Sequence, residues 1–217
     1  QSERIKYLNN NNEKNGDYVL YWMQSSQRTE YNHALEYSIL IANSLNKPLI
    51  VFFGLNENFP NANTRNISFM LEGLYEVEKS LGDREIKFVT WKKKAEIGAT
   101  EISNGASVVV VDKGYQRFEQ DWRKYVAKNI ECPLIEIETN TVVPVEEASK
   151  KEEYAAATIR PKINKLLNYY LSPLKLSKPT ISSLSFRIDS LNMDEIEDIT
   201  KSLKIDKSVQ QSPYLFG

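Results

Sequence analysis

Five short apolar runs alternate with stretches of helical periodicity, and that alternation constrains the fold more than any other feature of the chain. The runs occupy residues 18–23, 49–55, 86–91, 107–112 and 134–138. Leu49-Ile50-Val51-Phe52-Phe53-Gly54-Leu55 is apolar throughout, as expected of a central strand covered on both faces. Between the runs, Leu35, Ser38, Ile39 and Ala42 share one helical face, as do Met70, Leu74, Val77 and Leu81, and Trp122, Tyr125, Val126 and Asn129. Residues 92–103 are read as a further helix, while Asn46-Lys47-Pro48 and Gly82-Asp83 act as stops. Strands separated by helices pair in parallel through right-handed crossovers. The expected fold is therefore α/β, a doubly wound five-stranded parallel sheet. Its ligand crevice should lie beyond the C-terminal strand ends, where strand order reverses.

At 217 residues the chain suffices for one sizeable domain with an extension. Residues 1–15 form a polar, asparagine-rich leader that reads as disordered, and residues 16–171 make the α/β domain. Beyond it, Ser172-Pro173, Lys178-Pro179 and Ser182-Ser183 mark an extended linker over 172–217. One short helix is expected there, with Ile196, Ile199 and Leu203 on a face. Lys+Arg 28 against Asp+Glu 29 gives no overall drive toward polyanions. With Cys132 and His33 the sole residues of their kinds, a multi-cysteine or histidine-rich metal centre is excluded, and so are most histidine-based triads. The longest apolar run is far too short to span a bilayer, so no membrane partner is expected. The expected compartment is the cytoplasm, or the nucleus in a eukaryote.

The usual chemistry of doubly wound enzymes is missing. Trp22-Met23-Gln24-Ser25-Ser26-Gln27 follows the first strand without a glycine, so no dinucleotide pyrophosphate cradle forms there. Ser25-Ser26 lies where ATP-using relatives of this architecture place a Gly/Ser loop, but close backbone approach to phosphate needs glycine. Asp112-Lys113-Gly114-Tyr115 ends the fourth strand, with Gly114 suited to a tight turn. It reads either as a βα-turn with a solvated ion pair or as a ledge for a ring-shaped ligand. Glu146-Glu147 and Glu152-Glu153 suit solvated helix starts. His33 is expected to pack rather than act as a base, and Cys132 to be inert.

The run Glu152-Glu153-Tyr154-Ala155-Ala156-Ala157-Thr158-Ile159-Arg160-Pro161-Lys162-Ile163 is not explained by folding needs, because it places two cations around a residue without a backbone N–H. It resembles a run in class II DNA photolyases. Three further segments, in order, are similar to that family. They are Val19-Leu20-Tyr21-Trp22-Met23-Gln24-Ser25-Ser26-Gln27-Arg28 with Asn32-His33-Ala34-Leu35, then Phe69-Met70-Leu71-Glu72-Gly73-Leu74, then Asn140-Thr141-Val142-Val143-Pro144-Val145. Together they cover about residues 16–171, with His33 standing where the family has tryptophan.

The resemblance implies the N-terminal α/β domain of a light-driven enzyme that splits cyclobutane pyrimidine dimers. FAD would be bound by a separate C-terminal helical domain, which would also contact damaged DNA. This domain would cover that partner and could hold a deazaflavin antenna in its crevice. No catalytic residue is expected in this chain, and alone it should be inactive. The candidate antenna lining, placed from the strand ends, is Met23, Arg28, Leu55, Asp112, Lys113, Gly114, Glu138 and Asn140. Arg160 and Lys162 are expected to fix the domain junction or face a pocket edge. Asp206-Lys207-Ser208-Val209 is similar to the family's linker, and residues 212–217 resemble a flavin-domain motif only superficially. The alternatives are a cryptochrome-like photoreceptor domain and a stand-alone nucleotide-binding module.

Overall fold

The computed structural model describes residues 1–57, 59 and 61–211. Residues 212–217, with their superficial resemblance to a flavin-domain motif, therefore lie outside the described residues. Six strands form one sheet: β1 (Ile5–Tyr7), β2 (Tyr18–Trp22), β3 (Leu49–Gly54), β4 (Lys87–Trp91), β5 (Ala106–Asp112) and β6 (Leu134–Ile137). Their order is β1-β6-β5-β2-β3-β4. β2 through β6 pair in parallel, and the chain reverses its direction of winding between β2 and β5. The doubly wound sheet is as expected.

Alternation along the strands decides which helix covers which face. Val19, Tyr21, Val51, Phe53, Val108 and Val110 point to one side, where α1 (His33–Ser44) and α2 (Thr64–Asp83) pack. Leu20, Trp22, Ile50, Phe52, Val109 and Val111 point to the other, against α3 (Ala95–Ile102) and α4 (Arg117–Asn129). Each fully buried aliphatic or aromatic side chain in these layers contributes about 1.5–3 kcal/mol of transfer free energy. Among the described residues no helix is long and apolar enough to cross a membrane.

Two expectations are corrected. The leader is ordered, and it adds the sixth strand. β1 pairs antiparallel with β6, Ile5 opposite Ile137, and Leu8 N donates to Leu134 O at 2.8 Å. The asparagines of that leader sew it down. Asn9 Nδ2 donates to Cys132 O at 3.0 Å and its Oδ1 accepts from Leu134 N at 3.1 Å, while Asn11 Nδ2 donates to Ile130 O at 2.7 Å.

The second correction concerns α4. Its inward face carries Glu119, Arg123 and Val126, whereas Tyr125 and Asn129 are exposed. Arg123 Nε meets Glu136 of β6 at 2.7 Å with both side chains buried, so a charge pair stands where apolar periodicity was sought.

After α5 (Val145–Ala148) and α6 (Ala156–Tyr170), the chain is extended as expected but closely held. Ser183 Oγ accepts from Lys87 N at 2.7 Å, Ser190 Oγ from Thr90 N at 2.9 Å, and Leu191 N donates to Thr90 O at 2.8 Å. The tail thereby satisfies the free edge of β4, a strand edge that would otherwise invite pairing with another chain. α7 (Ile196–Ser202) then lies on α2, with Met193, Ile199 and Leu203 buried in the core of that face.

Candidate functional site

The C-terminal end of β5 organises the loop after β2. Asp112 is fully buried. Its carboxylate accepts from the peptide N–H groups of Gln24 (2.7 Å), Ser25 (2.7 Å) and Ser26 (2.9 Å), and from the Tyr21 hydroxyl (3.0 Å). Burial pushes the Asp112 carboxyl up from its ordinary value, and the three peptide donors pull it back. Asn32, also fully buried, completes the loop. Its Nδ2 donates to Tyr21 Oη, Ser26 O and Arg28 O, and its Oδ1 caps α1 by accepting from Leu35 N at 3.0 Å. The amides that could cradle a phosphate are thus already turned onto an internal carboxylate.

Beyond this loop opens a cavity of about 460 Å³ over the C-terminal ends of β2 and β3, next to the reversal point. Met23 and Leu55 form its floor with Phe53, and Ile67 and Met70 of α2 close one side. The opposite wall is aromatic. Phe59 meets Phe118 edge-on at 5.3 Å between centroids, and Phe118 meets Trp122 at 4.9 Å. Gln24 also lines the cavity and is 7% exposed. Its Oε1 accepts from Arg123 Nη1 at 3.3 Å, but its buried Nε2 has no partner among the described residues. A buried donor left unpaired costs about 1–3 kcal/mol, which a ligand acceptor would recover.

The eight residues expected to line one site are not brought together. Met23 and Leu55 reach the cavity, and Asp112 lies behind its loop. Glu138 is a buried knot. It accepts from Lys113 Nζ (2.9 Å), Tyr115 Oη (2.8 Å), Thr141 Oγ1 (3.0 Å) and Val145 N (2.7 Å). Burial works against the Glu138 carboxylate, yet Lys113 and the Val145 amide outweigh it and hold its pKa below the usual value. Lys113 and Gly114 border a different cavity, near β1 and α4. Arg28 and Asn140 line a third, bonded to each other at 2.9 Å. Arg28 and Asn140 lie in the loops past β2 and β6, beside the start of α1, whereas Lys113 and Gly114 lead from β5 toward α4.

Gly114 serves a purpose other than a tight turn. No glycine among the described residues has a positive φ; instead, a Cβ at Gly114 would sit 2.3 Å from the Glu119 carboxyl carbon. That carboxylate accepts from Ser25 Oγ and from Gln116 N at 2.8 Å, closing the first turn of α4. The aromatic wall and Gln24 were missed as site residues, although Phe118 and Trp122 at i and i+4 on one helix were a usable signal.

Of the remaining expectations, Cys132 is buried with its thiol pushed up to about 11 by burial, which suits an inert residue. Lys162 pairs with Glu153, whose carboxyl is pulled down to about 2 by hydrogen bonds from Lys162, Ser149 and Thr158. Arg160 is exposed on α6, and Tyr154 just before that helix is 95% exposed.

The DNA photolyase family model matches residues 19–180. The deoxyribodipyrimidine photo-lyase of Methanothermobacter thermautotrophicus is 39% identical over 220 residues, covering 100% of this chain and 48% of that protein. That of Arabidopsis thaliana is 36% identical, covering 70% of this chain and 32% of its own length. The chain thus spans half or less of the curated relatives it matches. Among solved structures, an archaeal photolyase from Sulfolobus tokodaii superposes with a TM-score of 0.63 at 16% identity, over 89% of this chain and 43% of that one. A class III photolyase from Agrobacterium tumefaciens gives 0.60 at 13% identity, over 83% and 38%.

Proposed function

Because this chain belongs to the DNA photolyase family, we propose that it is the α/β half of a light-driven deoxyribodipyrimidine photo-lyase, with a flat aromatic light-harvesting chromophore held in the cavity over β2 and β3. The cavity carries this reading. Its volume, about 460 Å³, suits a tricyclic ring, and its walls are methionine, leucine and aromatic side chains that meet edge to face. Gln24 Nε2 is a buried donor that a ring carbonyl would satisfy. Glu119 and the Asp112 carboxylate behind the loop disfavour an anionic occupant at the same place, so a neutral ring is preferred over a phosphate. The nucleotide-binding module is disfavoured for the same reason, since the peptide donors it would need are held by Asp112.

The Sulfolobus tokodaii photolyase, described with two FAD molecules and an implied novel light-harvesting cofactor, supports a flavin-type occupant, and a deazaflavin presents the same ring shape. FAD, the dimer-splitting chemistry and the contact with damaged DNA are assigned to the portion of the relatives that this chain does not span. Assignment to class II rests on the four matching segments named above.

Purified chain mixed with a deazaflavin should show a red-shifted, quenched chromophore; an unchanged spectrum at high micromolar ligand would remove the antenna reading. A longer polypeptide joining this chain to its downstream half should carry FAD and split thymine dimers under blue light. FAD binding without dimer splitting would favour the photoreceptor instead.

A further inference from the structure

Among the described residues four arginines are held against the body of this fold, and two of them make no ion pair there. Arg84 pairs with Glu36 at 2.6 Å and Arg123 with Glu136 at 2.7 Å. Arg4, 4% exposed, and Arg28, half-buried, form no ion pair among the described residues. Neutral oxygens hold them. Arg4 donates to Gln1 Oε1 (2.6 Å), Glu138 O (3.0 Å), Thr141 O (2.9 Å) and Val142 O (2.5 Å). Arg28 donates to Asn140 Oδ1 (2.9 Å), Tyr31 O (3.2 Å) and Thr139 O (3.3 Å), which leaves its Nε–H and one Nη1–H without a partner among the described residues. Arg4 and Arg28 both line one cavity of about 490 Å³, together with His33 at the start of α1. The acids nearest in charge do not neutralise it: the Glu138 carboxylate is committed to Lys113 and Tyr115, and Glu3 is exposed.

We propose that this cavity is a binding site for a small phosphate-type oxyanion, gripped by Arg28 and His33 while Arg4 supplies fixed positive charge behind them. Guanidinium groups with uncommitted N–H donors match phosphate oxygens in geometry and charge. His33 reports the field directly. Burial, then Arg4 and Arg28, lower its pKa to about 4, so the ring is neutral without an anion, and an oxyanion beside it would raise that value. Tyr31, with a left-handed φ of 47° and a side chain 68% exposed, stands at the same cavity and leaves it open to solvent. The site is distinct from the chromophore cavity and does not depend on it.

The sole histidine makes the test direct. Inorganic phosphate is titrated into the full chain while the His33 ring resonances are followed by NMR, with sodium chloride at matched ionic strength as reference. Phosphate should give a saturable shift and raise the His33 pKa by roughly one unit or more, and chloride should do neither. R28Q should weaken phosphate roughly tenfold. N140D, which places a carboxylate against Arg28 and leaves the fold intact, should abolish the response. R187Q, on the distant tail, should behave as the parent. A linear shift equal in phosphate and chloride, or N140D binding phosphate like the parent, would overturn the proposal.

Discussion

Asp112 shows how one buried carboxylate sets the character of a loop. Its oxygens draw three consecutive peptide donors inward, so the chain after β2 folds around its own anion rather than around a ligand's phosphate. Asp112→Ala would strand those donors and the Tyr21 hydroxyl, at a cost on the order of 3–5 kcal/mol in urea unfolding. A loss under about 1 kcal/mol would mean that the donors find other partners. Gly114→Ala forces a methyl into the Glu119 carboxylate and should cost about 1–3 kcal/mol by the same measurement. His33 predicts a pH effect. Its folded pKa, about 4, lies below the value of 6.5 expected unfolded, so between these limits the unfolded chain binds the extra proton. Its contribution is complete above pH 6.5 and is lost as pH falls toward 4. Thermal unfolding of His33→Asn should therefore depend less on pH over that interval than the parent, and superimposable profiles would show that His33 titrates normally.

At the scale of elements, both borders of the sheet are closed by segments that carry almost no periodic signal. β1 is three residues long and is held by asparagine side chains, and the tail beyond α6 reaches β4 through serine hydroxyls. Neither device appears in a search for apolar alternation, which is why the leader was expected to be disordered. The five parallel strands were legible because each is largely buried on both faces and is therefore mostly apolar. α4 was misread for the opposite reason. Its inward positions hold Glu119 and Arg123, whose partners lie on other elements and are invisible to periodicity. The tail's packing is testable. Leu203 is 2% exposed in the core beneath α7, so Leu203→Ala should cost about 2–4 kcal/mol. It should also speed amide exchange at Leu191 and Thr90; unchanged exchange there would show that the strap holds independently of α7.

For the whole molecule, the sheet's reversal between β2 and β5 determines where a ligand can lie, and helices from both faces contribute to that crevice. Phe118 and Trp122 should matter for chromophore binding more than for folding, because Phe118 is 40% exposed. Phe118→Ala is expected to weaken deazaflavin binding by about three- to tenfold, the worth of one aromatic contact, with little change in unfolding midpoint. Fluorescence titration checks the first and circular dichroism the second; undiminished affinity would place the ring elsewhere. By itself the sequence determined the parallel α/β sheet and, through four ordered segments, the photolyase family, since these depend on local pattern and order along the chain. Only the tertiary structure decided which rim residues meet. Loop paths and helix packing sent Met23 and Leu55 to one cavity, Lys113 and Gly114 to another, and Arg28 and Asn140 to a third. They also turned Asp112 and Glu138 from candidate ligand contacts into internal hydrogen-bond acceptors, a choice governed by which donors lie within reach in space.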